Sequence, residues 1–229
     1  MYKDIKHANT KVILSLVLFI SMASTVIQAQ TVTDIDGNVY KTVTIFREVW
    51  MMENLKTTRY NDSTRIPLVI DNEAWGEATP AYCWYDNFEY ANKNTYGALY
   101  NWYAINTNKL CPTGWHVSTK KEWKILLYHL GNYEAGWQLK ERGTTHWRAP
   151  NKGVTNSSGF TALPGGYRKR SGAFIGIGSF GNWWATPRNS IAIPWYQNWN
   201  YRFGSFSMVV SANRHKKRVG LSVRSIKDK

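Results

Sequence analysis

An α+β fold with an antiparallel sheet is what this 229-residue chain predicts. Two observations carry that reading: helical apolar spacing is confined to residues 97–131, and beyond Gly143 the pattern becomes short β-forming runs separated by Gly, Asn, Ser and Pro. Helices early and strands late segregate the two kinds of element. The length is ample for a hydrophobic core.

The first 29 residues stand apart from the fold. Lys3, Lys6 and Lys11 lead into the apolar run "VILSLVLFI", and "STVIQAQ" offers a cleavage point after Ala29, the pattern of a secretory signal peptide. The apolar run is too short to span a bilayer. No cysteine follows the cleavage point, so the expected product, residues 30–229, is exported, is not a lipoprotein and has no transmembrane segment. It is secreted, periplasmic or held at the cell surface.

The elements follow in order. "TVTDIDGNVYKTVTI" sets alternating β-formers around Asp36-Gly37, a hairpin signal. Asp34, Asp36 and Asn38 imitate a calcium loop but lack its Gly and distal Glu, so a turn is expected there and no metal. Residues 53–95 are rich in turn formers and predict loops. "YGALYNWYAIN" places Leu99, Trp102, Tyr103 and Asn106 at helical spacing, which predicts a short buried helix. A second helix begins at "STKKEWKILLYHLG": Thr119 and Glu122 form a capping box, Trp123, Leu126, Leu127 and Leu130 a stripe, and Gly131 a stop. His129 lies at the border of that stripe. Strands are expected in "SSGFTALPGGYR", "GSFGNWWATP", "IPWYQNWNY", "FSMVVSA" and "VGLSVRSI", with "NRHKK" as a charged turn.

Charge is distributed unevenly. Without the signal peptide 26 basic and 14 acidic side chains remain, and from Arg142 to Lys229 there are 15 basic residues against one acid, Asp228. Paired-carboxylate catalysis cannot be housed within that half. A basic half suits polyanions such as acidic glycans, or serves simply as a soluble surface. Export argues against nucleic acid as the partner. Cys83 and Cys111 are the only cysteines, so at most one disulfide is available.

The motifs "DIDGNVYKTVTI", "VWMMENLKTTRYND", "LCPTGWHVSTKKEW", "SGFTALPGGYR", "WWATP" and "GLSVRSIKD" resemble, in order and spacing, the Fibrobacter succinogenes major paralogous domain over nearly all of residues 30–229. The resemblance implies a C-type-lectin-like fold, with two short helices and a twisted, loop-rich antiparallel sheet, distantly similar to formylglycine-generating enzymes. Those enzymes use a cysteine pair in their C-terminal half, and this chain has no cysteine after Cys111. The family pattern has a cysteine where this chain has Ser225, so a partner for Cys111 is lost here, and Cys111 is free or pairs with Cys83. C-type-lectin-fold proteins diversified by retroelements vary the C-terminal strands that precede a "GFSVR"-like segment, and here Asn182 to Arg202 precedes "GLSVR".

No nucleophile elbow, P-loop or zinc spacing occurs, and the expectation is not an enzyme and no cofactor. His116 and His146, each beside tryptophan, are expected to be structural hydrogen-bonding residues. A hydrolase using Asp86, Glu89, Glu122 or Glu134 is the weaker alternative. In "PWYQNWNYRFG" a strand would turn Trp195 and Trp199 inward, with Trp183 and Trp184 at least partly buried beside them, because an exposed Trp forgoes several kcal/mol of burial (about 25 cal/mol/Å² over up to ~250 Å²). The expected ligand surface is then Arg188, Asn189, Tyr196, Asn198, Asn200 and Arg202, aided by the basic turn Arg214 to Arg218, on a binding module for a surface glycan or cell-surface protein. A structural or adhesive envelope protein without a specific site is the alternative.

Overall fold

The computed structural model describes residues 30–186, 198–204, 211–215 and 217–229. The signal-peptide reading and the expected ligand residues Arg188, Asn189 and Tyr196, with Trp195, lie outside them. In chain order the strands are β1 (Thr31–Thr33), β2 (Val39–Ile45), β3 (Glu48–Met51), β4 (Tyr82–Cys83), β5 (Leu99–Tyr100), β6 (Trp115–Val117), β7 (Gly165–Arg168), β8 (Phe174–Ile177), β9 (Phe180–Ala185), β10 (Asn198–Gly204), β11 (Ser211–His215) and β12 (Ser225–Lys227). The helices are α1 (Asn72–Trp75), α2 (Glu89–Tyr96), α3 (Trp102–Ile105), α4 (Lys120–His129) and α5 (Ala135–Leu139).

Local signals are honoured at both ends of the first hairpin. Asp34 Oδ1 accepts from the N–H groups of Asp36 and Asn38, and Gly37 adopts φ 81°, so the aspartate builds a turn between β1 and β2. β2 then pairs with β3, β3 with β12, and β12 with β6, giving an antiparallel five-stranded sheet in the order β1-β2-β3-β12-β6. The chain's last strand therefore closes against its first ones. A separate sheet, β11-β10-β9, holds three of the strands that the Gly/Asn-punctuated pattern beyond Gly143 predicts.

α4 forms where expected: Thr119 Oγ1 accepts from Glu122 N, and Glu122 Oε2 accepts from Thr119 N at 2.7 Å. Trp123 and Leu126 on its inner face are buried, and Gly131 beyond it is left-handed at φ 83°. His129 is exposed and stacks on Phe46 with ring centroids 3.5 Å apart.

Three expectations are corrected. The helix predicted from Leu99 begins only at Trp102, capped by Asn101 Oδ1 on Ala104 N, because Leu99 and Tyr100 are extended and paired with β4 and Leu221. Both are fully buried there, and that pairing outweighs the helical spacing. Within the loops expected over 53–95 lies α2, a helix whose buried residue is Asn92. Its Nδ2 donates to the carbonyls of Tyr85 and Phe88. With no apolar stripe, nothing in its period announces a helix. The turn expected in "NRHKK" shifts to Lys217–Arg218, since Asn213, Arg214 and His215 continue β11 in register with Asn200, Trp199 and Asn198. Among the described residues there are five short α-helices rather than two.

The core is built of indoles. Trp50, Trp123, Trp147 and Trp183 sit in one cluster with Phe160 and Ile226, while Trp84, Trp102 and Trp184 sit in another with Tyr40, Tyr100 and Leu221. Trp183 and Trp184 are both fully buried although they are chain neighbours, so β9 is covered on both faces. The inward reading of these two indoles holds.

Two arginines lie fully buried among these rings. Arg168 donates to the carbonyls of Val69, Ile70, Asp71 and Gly172 and to Asn72 Oδ1, with its guanidinium 4.5 Å from the Trp75 ring. Arg224 donates to the carbonyls of Met51, Phe160 and Thr161 and lies 4.2 Å from the Phe160 ring.

Candidate functional site

β9 leads into the candidate site. Its register sets Ala185 opposite Trp199, Trp184 opposite Asn200, and Asn182 opposite Arg202. Asn198, Asn200 and Arg202 of the expected ligand surface therefore stand on the middle strand of the C-terminal sheet, between β9 and β11. One residue past β9, Thr186 exchanges backbone hydrogen bonds with the segment that enters α4: Thr186 N donates to Ser118 O and Lys120 N to Thr186 O.

At this junction a cleft of about 350 Å³ opens. Its floor is apolar, from Ile105, Leu110, Cys111 and Val117, and its walls carry Asn108, Trp115, His116, Thr119, Glu122 and Thr186. The short strand β6 supplies Trp115 and His116, and the capping box of α4 supplies Thr119 and Glu122. Helix capping and cleft construction thus share residues.

His116 is the hub. Its Nε2 lies 2.9 Å from Glu122 Oε1 and its Nδ1 2.6 Å from Asp228 Oδ1. Partial burial works against charge on this ring, but the hydrogen bonds and charges of Glu122 and Asp228 outweigh it and raise the imidazole pKa above its usual 6.5. For Glu122 burial also opposes charge, and His116 together with the Thr119 N–H overcomes it, holding the carboxyl below 4.5. A charged His116 between two carboxylates is a clamp, with neither ring nitrogen left to take a proton from a substrate.

The expectation that His116 is a structural hydrogen-bonding residue agrees with this geometry. His146 likewise sits with Nδ1 2.8 Å from Glu141 Oε1. Of the four carboxylates weighed for a hydrolase, Glu122 lines the cleft and is committed to His116 and Thr119. Asp86 lies in a 3-10 turn at Tyr85–Asn87, Glu89 pairs with Lys93 at 2.8 Å, and Glu134 lies in the turn Asn132–Glu134. They stand on four separate elements. Trp115 and Asn108, which the sequence reading passed over, also line the cleft: among the described residues, neither the Trp115 indole N–H nor the Asn108 amide makes a hydrogen bond.

The model of the Fibrobacter succinogenes major domain matches residues 43–227. The chain belongs to that family. No curated protein and no solved structure matches it. In this Fibrobacter succinogenes major domain both cysteines are free and buried, and burial pushes each thiol up to about 12. Cys111 Sγ lies 3.1 Å from Ser225 Oγ, so the position at which the resemblance implies a cysteine is the one that faces Cys111. Cys83 lies in a third apolar cluster with Trp75 and Leu99. No helix of the domain's described residues is long and apolar enough to cross a membrane.

Proposed function

We propose that this chain is an exported, non-enzymatic binding module of C-type-lectin-like kind, which takes a surface glycan or protein ligand in the cleft and along the C-terminal strands. One observation carries the reading. The imidazole in the cleft has both nitrogens engaged by carboxylates, while a half-buried tryptophan, an exposed amide and two threonine hydroxyls line the same space. The volume falls within the roughly 300–1,000 Å³ of small-ligand sites, and an apolar floor with polar groups placed around it is the arrangement such sites use to fix a ligand's orientation. The groups present recognise a ligand and none of them activates it.

The expected residues Asn198, Asn200 and Arg202 extend this surface along β10, and Arg188, Asn189 and Tyr196 follow Thr186 in the sequence. The test is a glycan array probed with the purified protein at low and at physiological salt. A discrete set of hits that survives salt, and is lost on Trp115→Ala and weakened by joint alanine replacement of Asn198, Asn200 and Arg202, is the expected result. Retention that follows only ligand charge, disappears with salt and ignores Trp115 would instead identify a structural or adhesive envelope protein. The 15 basic residues against one acid beyond Glu141 are the observation that favours this second reading.

A further inference from the structure

At the turn between β2 and β3 the chain accepts two costs at one residue. Ile45 and Glu48 pair across a two-residue hairpin, and Phe46 within it holds φ 59°, a conformation that glycine or asparagine adopts with far less strain than a bulky ring. The same ring is 56% exposed. Neither cost serves the core, since Phe46 belongs to none of the three apolar clusters.

The end of α4 holds this ring in place. Phe46 stacks on His129, and the Arg47 guanidinium lies 5.4 Å from its centroid. Tyr128, 70% exposed, meets His129 edge to face with centroids 5.5 Å apart. Three rings thus form one run across the hairpin tip and the helix end.

Cations border the run. Lys121, Lys124 and Tyr128 fall at i, i+3 and i+7 on α4 and make one exposed stripe. Among the described residues none of Arg47, Lys121 and Lys124 makes an ion pair. The carboxylates closest in the chain are engaged elsewhere, Glu122 with His116 and Thr119, and Glu48 with Lys229 at 2.8 Å. Glu134, in the turn after Gly131, sets one negative charge against these three positive ones.

A hairpin tip and the outside of a helix do not enclose a ligand, so the partner is itself a surface. With His129 on one face and Arg47 also over it, the Phe46 ring offers an edge rather than an open platform for a sugar to stack on. Aromatic edges among unpaired cations match the boundary of an anionic bilayer, where rings enter the interface and cations meet phosphates. We infer that the Phe46 tip and the outer face of α4 are a docking surface for an anionic lipid bilayer. It uses none of the residues that line the cleft, and stands whether or not the cleft takes a ligand.

The test is co-sedimentation of the purified protein with vesicles of phosphatidylcholine alone and of phosphatidylcholine mixed with phosphatidylglycerol, in about 0.15 M salt. Binding is expected to the mixed vesicles only. Phe46→Gly removes the ring and relieves the turn, so it is expected to weaken binding on the order of tenfold while the melting temperature holds or rises. Joint alanine replacement of Lys121 and Lys124 is expected to cost about fivefold for each cation. The same replacement of Lys169 and Arg170, an equal charge exposed at the β7–β8 tip, is expected to cost far less. Equal losses from the two pairs would show that net charge alone holds the protein, and would overturn the inference. So would a Phe46→Gly protein that binds as tightly as its parent, binding to neither vesicle, or Phe46-dependent capture of dextran sulfate without capture of vesicles, which would assign the surface to a polyanionic glycan.

Discussion

Arg168 and Arg224 are the same side chain in two settings, each fully buried and each served by carbonyls rather than by a carboxylate. Arg168 gathers a loop: its partners Val69, Ile70, Asp71 and Asn72 belong to one stretch leading into α1, where the guanidinium replaces a ladder. Arg224 instead spans strands and turns that are already paired, reaching Met51 on β3 and the Phe160–Thr161 turn, and its Nε has no partner among the described residues. Burial pulls its pKa down to about 9, opposed by the charge of Glu53, yet leaves it a cation at neutral pH. Two buried cations thus differ in what depends on them. In a half of the chain with one carboxylate, main-chain oxygens are the acceptors on hand, and these two arginines tie that half to residues 51–72.

The difference can be broken by replacing each arginine with Met. Arg168→Met strips the 69–72 stretch of its guanidinium donors, leaving Ile70 O with Asn87 Nδ2 and Asp71 O with Trp75 N, and is expected to cost about 3–5 kcal/mol in urea unfolding, with new proteolytic cleavage at 69–72. Comparable losses for Arg224→Met would erase the distinction. A smaller effect of opposite sign comes from Ser225→Cys, next to Arg224 on β12. With Cys111 Sγ 3.1 Å from the Ser225 oxygen, oxidation should close a long loop and stabilise the protein by roughly 2–4 kcal/mol. The melting temperature would rise and fall back with reductant; a variant indifferent to reductant has not formed the bond. Arg224→Met itself is expected to cost about 1–3 kcal/mol, because the lost hydrogen bonds are partly offset by relief of desolvation.

The smallest effect is on pH. The raised His116 pKa makes its contribution complete below about 6.5 and lost as pH rises through the higher folded value. The lowered Glu122 pKa makes that carboxylate's contribution complete above about 4.5 and lost as pH falls through the folded value. His116→Gln should therefore lower the melting temperature most between about pH 4.5 and 6.5, and the gap from the parent protein should narrow above neutrality. A gap that does not change with pH would show that the clamp is held by shape alone.

What the sequence disclosed was what depends on neighbours in the chain. The Asp36-Gly37 turn, the Thr119/Glu122 capping box and the inward pair Trp183-Trp184 each rest on residues within a few positions, and each is found as read. α2 was hidden because its buried residue is the amide of Asn92, and α3 was drawn too long because Leu99 and Tyr100 are claimed by pairing with residues as distant as Leu221. The cleft was less legible still. It assembles Asn108, Trp115, Thr119 and Thr186 with a clamp to Asp228, and no window of sequence holds more than a part of it. Carbonyl partners of buried arginines carry no sequence signal at all, since every residue has one.

Chain neighbours on β9 deliver their rings to different places: Trp183 to the cluster around Trp50 and Phe160, Trp184 to the one around Trp102 and Tyr100. Neither cluster can loosen without shifting a strand whose other face is seated in its neighbour. The two halves of the core are mechanically one, and melting should be a single cooperative event, with the amides of β9 among the last to exchange with solvent.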